Sequence, residues 1–175
     1  MADRKGEWMQ TFSGRSFWAL DPRPEDVCIE DIAHSLAHQC RFAGHCLRFY
    51  SVAEHSVLLY RTVPDELKKP ALVHDSPEAY VVDVPRPLKR MLKAHQALED
   101  GVAKCIAAKL KMDTLYPPAL VEYDARILLD EQKQNMSAPP LPWNIKGEPL
   151  GVKLEFWTPQ VAEIMFLSAF REAFG

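Results

Sequence analysis

Apolar positions along the chain recur at three and four residue spacings, in blocks separated by prolines. Between Ile29 and Cys40, the residues Ile32, Ala33, Leu36, Ala37 and Cys40 keep that spacing, which turns one stripe of a helix toward a core. Ser51 to Val63 repeats the period through Val52, His55, Leu58 and Leu59 until Pro64 stops it. Asp65 then opens a helix running through Leu72 to Asp75. Ser76-Pro77-Glu78 has the signature of an N-cap, a proline at the first helical position and a first-turn acid. The chain is therefore expected to stop and restart there, leaving His74 and Asp75 at a helix terminus.

The run Val81-Val82-Asp83-Val84-Pro85-Arg86-Pro87 reads as a loop, because each proline removes an amide donor and restricts the residue before it. Leu88 to Leu110 reads as one long amphipathic helix or two shorter ones. Pro118 to about Gln134 is another helix, and it carries Asp124. Residues 136–158 form a proline-rich excursion, and Pro159 opens a final apolar helix through Val161, Ile164, Met165, Leu167 and Phe170. At the other end, Glu7 to about Arg23 is turn-rich, a short hairpin or extended arm within residues 1–28, and Arg41 to Phe49, with Gly44, is a loop. The expected fold is a single all-α domain, residues 1–175, of six or seven helices.

Composition narrows the function classes. The 175 residues carry 21 Lys and Arg against 24 Asp and Glu, a formal charge of -3, without the basic excess of a duplex nucleic-acid binder. The start leads into no apolar leader and no run of 18 apolar residues occurs, so a soluble intracellular protein that spans no membrane is expected. Cys28, Cys40, Cys46 and Cys105 never fall as C-x-x-C, which favours reduced, mostly buried thiols over a zinc ribbon or a disulfide scaffold.

Candidate chemistry centres on His74-Asp75, an imidazole and a carboxylate that can both reach one divalent ion. His55 on the preceding helix and Asp124 on a later one complete two imidazoles and two carboxylates, a mixed N/O set that leaves room for water on an ion preferring about six ligands. A histidine, then a His-Asp pair, then a distant aspartate resembles the signature of the HD-domain metal-dependent phosphohydrolases. The segment Leu72-Val73-His74-Asp75-Ser76-Pro77-Glu78-Ala79-Tyr80-Val81-Val82-Asp83-Val84-Pro85-Arg86-Pro87-Leu88-Lys89 is similar to the bacterial 5'-deoxynucleotidase branch. Arg41-Phe42 stands where that branch has an Arg-Trp pair against substrate; phenylalanine keeps a stacking surface and loses an indole N–H. Phage and prophage relatives look similar through Asp21-Pro22-Arg23-Pro24-Glu25-Asp26 and Cys40-Arg41-Phe42-Ala43-Gly44-His45, so the resemblance covers roughly residues 10 to 134.

The resemblance implies an HD-domain helical bundle with a metal held by His55, His74, Asp75 and Asp124, the ion being cobalt, manganese, zinc or iron, with magnesium also in range. It implies that Glu78 acts on the attacking water, against the alternative of an ordinary first-turn acid. Asp83 is expected on the sugar, or as a turn cap. Arg41, Arg86 and Lys89 supply cations for phosphate, with Arg90 on the same rim, although Lys89 also reads as a solvated residue; His45 is a further candidate contact beside Phe42. The substrate class is the deoxynucleoside 5'-monophosphates. Triphosphate release from deoxynucleoside triphosphates, as in phage relatives, is the alternative, and a catalytically silent nucleotide-binding regulator is a reading of another class. A homo-oligomer, dimer or higher, in the cytoplasm, or the host cytoplasm if phage-encoded, completes the expectation. His34 and His38, one turn apart, are read as structural or surface residues, His95 as an exposed one, and Phe156, Trp157, Phe166 and Phe170 as core packing.

Overall fold

The computed structural model describes residues 3–175; Met1 and Ala2, part of the expected arm, lie outside the described residues. Helices α1 (Ile29–His38), α2 (Val52–Thr62), α3 (Asp65–Val73), α4 (Glu78–Val81), α5 (Arg86–Lys89), α6 (Lys93–Leu110), α7 (Pro118–Asn135) and α8 (Pro159–Phe174) dominate. A two-stranded sheet, β1 (Met9–Gln10) and β2 (Ser16–Phe17), precedes them. The all-α class is as the periodicity indicated. Among the described residues no helix is long and apolar enough to cross a membrane.

The fold is organised around α2. Ser51 caps it, its Oγ accepting from the Glu54 amide at 3.0 Å. Nine consecutive residues, Val52 to Tyr60, are buried, so α2 is enclosed on all sides where its pattern had indicated one apolar stripe. Helices α1, α3, α7 and α8 pack around it. One core cluster joins Ile32 and Leu36 of α1, Val57 of α2, Ile106 of α6 and Phe166 of α8; a second joins Leu59 of α2 with Leu120 and Ile127 of α7. Trp157 and Phe170 pack against the first cluster and Phe156 against the second.

Local differences from the sequence reading have identifiable causes. Helix α1 ends at His38, two residues before Cys40, because Gln39 turns extended and Cys40 forms an antiparallel bridge with Ser51. The stop and restart after α3 is present, but Ser76 is not its cap: the hydroxyl is buried without a partner, and turn bonds such as Glu78 N to Asp75 O at 3.0 Å make the junction. The loop before Pro87 is shorter than expected, since Arg86 already begins α5; a proline in a first turn sacrifices an amide that has no helical partner. The stretch from Leu88 to Leu110 is divided between α5 and α6, which is the two-helix alternative.

The N-terminal arm is partly core. Its hairpin pairs Met9 with Phe17, and the Phe17 ring is fully buried, stacked 3.8 Å from Tyr80; such burial contributes roughly 1.5–3 kcal/mol. Ser13 at the turn donates through its amide and hydroxyl to the Asp31 carboxylate at 2.6 and 2.9 Å, which fastens the hairpin to α1. The four cysteines are free; Cys28 and Cys105 are buried as expected, whereas Cys40 and Cys46 are only half-buried, their sulfurs 3.4 Å apart.

The 136–158 excursion is an irregular strap laid along α7. Asp130 accepts from the amides of Leu150 and Gly151 at 2.7 and 3.1 Å, and Gln134 binds the Val152 carbonyl and the Leu154 amide. Glu54 of α2 accepts from three successive amides, Glu155, Phe156 and Trp157, each at 2.8 Å. Side chains of the helices thus satisfy backbone groups that lack a ladder of their own.

Candidate metal centre and substrate cavity

The four expected ligands come from three elements. His55 closes the first turn of α2, His74 and Asp75 lie in the turn that ends α3, and Asp124 in the second turn of α7. His55 Nε2 is 3.3 Å from Asp124 Oδ1 and 3.7 Å from Asp75 Oδ2; His74 Nε2 is 3.6 Å from Asp124 Oδ1 and 3.2 Å from Asp75 Oδ1. His55, His74 and Asp124 form the tightest group, each offering one donor atom within 4.8 Å of the others, and Asp75 flanks them.

The imidazoles are oriented from behind. His55 Nδ1 is 2.7 Å from Glu131 Oε1, and His74 Nδ1 is 2.9 Å from the Ala71 carbonyl, so both rings present Nε2 to the shared space. Those Nε2 atoms are buried and make no hydrogen bond, although Asp124 Oδ1 stands 3.3 Å from one and 3.6 Å from the other. Two unpartnered buried nitrogens facing two carboxylates fit a divalent cation: a metal-bound histidine characteristically engages an acceptor through its other nitrogen.

Protonation follows the same geometry. Burial and Arg41 push the His55 imidazole down, yet Glu131 and Asp124 outweigh them and lift it to about 9. For His74, burial opposes and Asp75 and Asp124 prevail, again raising it. Burial would raise Asp124, but the two imidazoles hold it well below the usual carboxylate range. In the absence of a metal, protons take the role of the positive charge that this cluster demands.

A cavity of about 920 Å³ opens from the cluster. Its lining includes seven further residues named as candidate contacts, Arg41, Phe42, His45, Glu78, Asp83, Arg86 and Lys89, but not Arg90. His55 is enclosed behind it. Glu78 is raised well above its ordinary value, first by burial and then by Asp75 and Asp83, and its Oε2 has no partner. Gln39 holds this segment in place, donating to the Glu78 carbonyl and accepting from the Asp83 amide. Arg41 bridges Asp75 and Glu131 through Nη1 and Nη2 at 3.7 and 3.2 Å, while its buried Nε–H is unpartnered.

Lys89 is only partly solvated: its side chain is 29% exposed, it pairs with Glu99 and it stands 3.9 Å from Glu78 Oε1, so carboxylates already claim its charge. Arg90 is exposed and outside the cavity lining, because the chain turns away between α5 and α6. His95 is also not the exposed residue expected; its Nε2 binds the Val81 carbonyl at 2.8 Å and ties α6 to the end of α4. Backbone strain gathers near the cavity. Phe42, Ala43 and Val82 all have left-handed φ, at 56°, 52° and 69°, each costing about 1–3 kcal/mol for a non-glycine residue.

Sequence reasoning missed Glu131, although a signal was present: it lies seven residues after Asp124, two turns along the same face of α7. It also missed Tyr50, whose hydroxyl donates to Glu131 at 3.0 Å, and the strap residue Trp143, which lines the cavity from a segment without periodicity. His34 and His38 meet Glu163 of α8, where His34 Nδ1 is 3.0 Å from Glu163 Oε2 and Phe12 stacks on His34 at 3.6 Å. His38 Nδ1 bonds the His34 carbonyl at 2.8 Å, and His34, His38 and Glu163 each offer one donor atom within 4.8 Å of the others, a second group with the spacing of a metal site.

No protein-family model matches the chain. It is similar to the "Uncharacterized protein YfdR" of Escherichia coli strain K12, at 39% identity over 132 residues, 74% of this chain and 72% of that protein. It is also similar to the "Uncharacterized protein RCAP_rcc00048" of Rhodobacter capsulatus, at 33% identity over 123 residues, 65% of this chain and 63% of that protein.

Proposed function

The chain belongs to the family of the Escherichia coli protein YfdR, and from the chemistry of its cavity we propose that it is an HD-domain, metal-dependent phosphohydrolase that converts deoxynucleoside 5'-monophosphates to deoxynucleoside and phosphate. The observation that carries this reading is one set of buried, unpartnered polar atoms around one cavity: His55 Nε2, His74 Nε2, Glu78 Oε2 and Arg41 Nε.

His55, His74, Asp75 and Asp124 would hold a divalent transition ion, with Glu131 and the Ala71 carbonyl fixing the imidazole orientation. Such an ion polarises a phosphoryl oxygen and lowers the pKa of water near it. Glu78 Oε2 accepts the proton of the attacking water as the water oxygen bonds to phosphorus and the P–O5' bond breaks, and returns that proton to the departing 5' oxygen, a role suited to a carboxylate whose affinity for protons is already raised by burial. Arg41 donates from Nε to a phosphoryl oxygen and is kept charged by Glu131 and Asp75 despite its burial. Asp83 receives the sugar's 3'-hydroxyl, and Arg86 at the rim faces the phosphate product.

Charge arithmetic separates the monophosphate reading from triphosphate release. The cavity lining holds six carboxylates (Asp75, Glu78, Asp83, Glu99, Asp100 and Asp124) against three cations, Arg41, Arg86 and Lys89. One ion and Arg41 can balance a single phosphoryl group, whereas a triphosphate would bring several more negative charges toward an acidic wall. The volume of about 920 Å³ does leave room for the longer tail, which keeps triphosphate release as the second reading.

The test is product analysis after incubation of the purified protein, with cobalt or manganese, against all deoxynucleoside mono- and triphosphates and their ribose counterparts. Free phosphate from the monophosphates is the expected result. Inorganic triphosphate would replace the primary reading with the second, and no hydrolysis of any nucleotide by metal-loaded protein would overturn both.

A further inference from the structure

Two aromatic rings from unrelated parts of the chain meet at the cavity. Phe42 comes from the turn after α1 and Trp143 from the strap, with ring centroids 5.8 Å apart and planes inclined at 53°. Both placements are enforced. Phe42 sits in the left-handed region with φ 56° and ψ 31°, a conformation an aromatic residue does not choose for itself. Trp143 rides on a segment whose following limb is fastened to α7 and α2 by Arg126, Asp130, Gln134 and Glu54. Leu128, Met136 and Ile145 add apolar walls.

The 53° inclination makes a corner and not a closed sandwich. A planar ring lying on one aromatic face meets the edge of the other, both favourable geometries, without the pair having to separate. The distance to the polar cluster also fits. Arg41 Cζ is 5.4 Å from the Phe42 ring and Arg41 Nη1 is 3.7 Å from Asp75 Oδ2, so with one C–N bond between them the corner lies within about 10 Å of that carboxylate. A sugar spans that interval between a phosphate at the cluster and a flat ring at the corner.

Building on the nucleotide reading above, we propose that the Phe42–Trp143 corner is a binding site for the heteroaromatic base, and that Trp143 is a specificity-determining residue which makes the protein select nucleotides over sugar phosphates. The strap then has a recognition role: it supplies the second aromatic wall.

The experiment compares wild type, Trp143→Ala and Trp143→Phe in two measurements. The first is the ratio of kcat/KM for a deoxynucleoside 5'-monophosphate to that for 2-deoxyribose 5-phosphate, which has the same sugar and phosphate and no base. The second is calorimetric affinity for a non-hydrolysable phosphonate analogue of the deoxynucleoside monophosphate, with cobalt or manganese present. Trp143→Ala should lower the ratio and the affinity about tenfold or more, with Trp143→Phe largely restoring both. Hydrolysis of the nucleotide with an unchanged ratio and unchanged affinity in Trp143→Ala would overturn the corner and leave the phosphohydrolase reading intact. Binding that weakens in Trp143→Ala, from a wild type that hydrolyses nothing, would uphold the corner and reject the phosphohydrolase. A wild type that neither binds the analogue nor hydrolyses the nucleotide would overturn both.

Discussion

Glu131 Oε1 stands 2.7 Å from His55 Nδ1, with both side chains fully buried. The same carboxylate receives the Tyr50 hydroxyl and the Arg41 guanidinium, so one residue sets the imidazole's orientation and balances a buried cation. Glu131→Ala should weaken cobalt or manganese binding about 10- to 100-fold, the usual effect of removing an outer partner of a metal-bound histidine. It should also cost roughly 3–5 kcal/mol of stability by leaving Arg41 with less compensation. Equilibrium dialysis and denaturant unfolding measure the two effects. Metal affinity that survives in both Glu131→Ala and Glu131→Gln would reduce the residue to a structural staple.

Glu78 should separate metal binding from turnover. Its Oε2 has no partner in the protein and it lies outside the tight group of donor atoms. Glu78→Gln preserves shape and removes the proton acceptor, so kcat should fall by about 10²–10⁴. Metal content, measured on the same sample, should match wild type. By contrast, Asp124→Asn should lose metal and activity together, and equal metal loss in both variants would show that Glu78 is a ligand.

How far the sequence discloses this arrangement depends on periodicity. His55, His74, Asp75 and Asp124 were legible because their order along the chain resembles the HD-domain signature, while apolar spacing located the helices that carry or flank them. Glu131 could have been found by following the Asp124 face two turns further. Trp143 could not, since the strap has no period and is positioned by Asp130, Gln134 and Glu54, residues that look like ordinary surface polar positions of their helices. Ser76 misled for a related reason: it matches a cap in sequence, but the preceding turn stays helical enough to leave no amide for its hydroxyl. Phe17 shows the same limit in the arm, where a short hairpin buries an aromatic against Tyr80.

Metal should abolish the loss of stability that the free protein shows as pH rises. Without it, His55 is pushed down by burial and Arg41 but held up by Glu131 and Asp124 at about 9, above the ordinary imidazole value of 6.5. A raised folded value contributes stability in full below pH 6.5 and loses it as pH climbs through about 9, a change of up to about 3 kcal/mol. In EDTA, Tm should therefore fall between pH 6.5 and 9. With saturating manganese, neutral imidazoles are required, so the stabilisation by metal should grow across the same interval. Thermal melts in paired buffers decide it, and a metal-free Tm that stays flat or rises to pH 9 would contradict the proton's place in the cluster.

Asp130 should control the strap without touching the polar cluster. Its two oxygens accept the Leu150 and Gly151 amides at 2.7 and 3.1 Å, and Gly151 has φ +78°, a left-handed conformation that the carboxylate helps to hold. Asp130→Ala removes both acceptors from a buried position and should cost about 1–3 kcal/mol. The loss should be local, because Gln134 and Glu54 still fasten the residues that follow. Hydrogen exchange at Leu150 and Gly151 should therefore accelerate about ten- to a hundredfold while amides within α2 stay protected. Since Trp143 precedes these anchors on the same strap, nucleotide KM should rise with little change in kcat. If exchange accelerates over α2 as well, Asp130 supports the whole fold and the strap is not a separately adjustable wall.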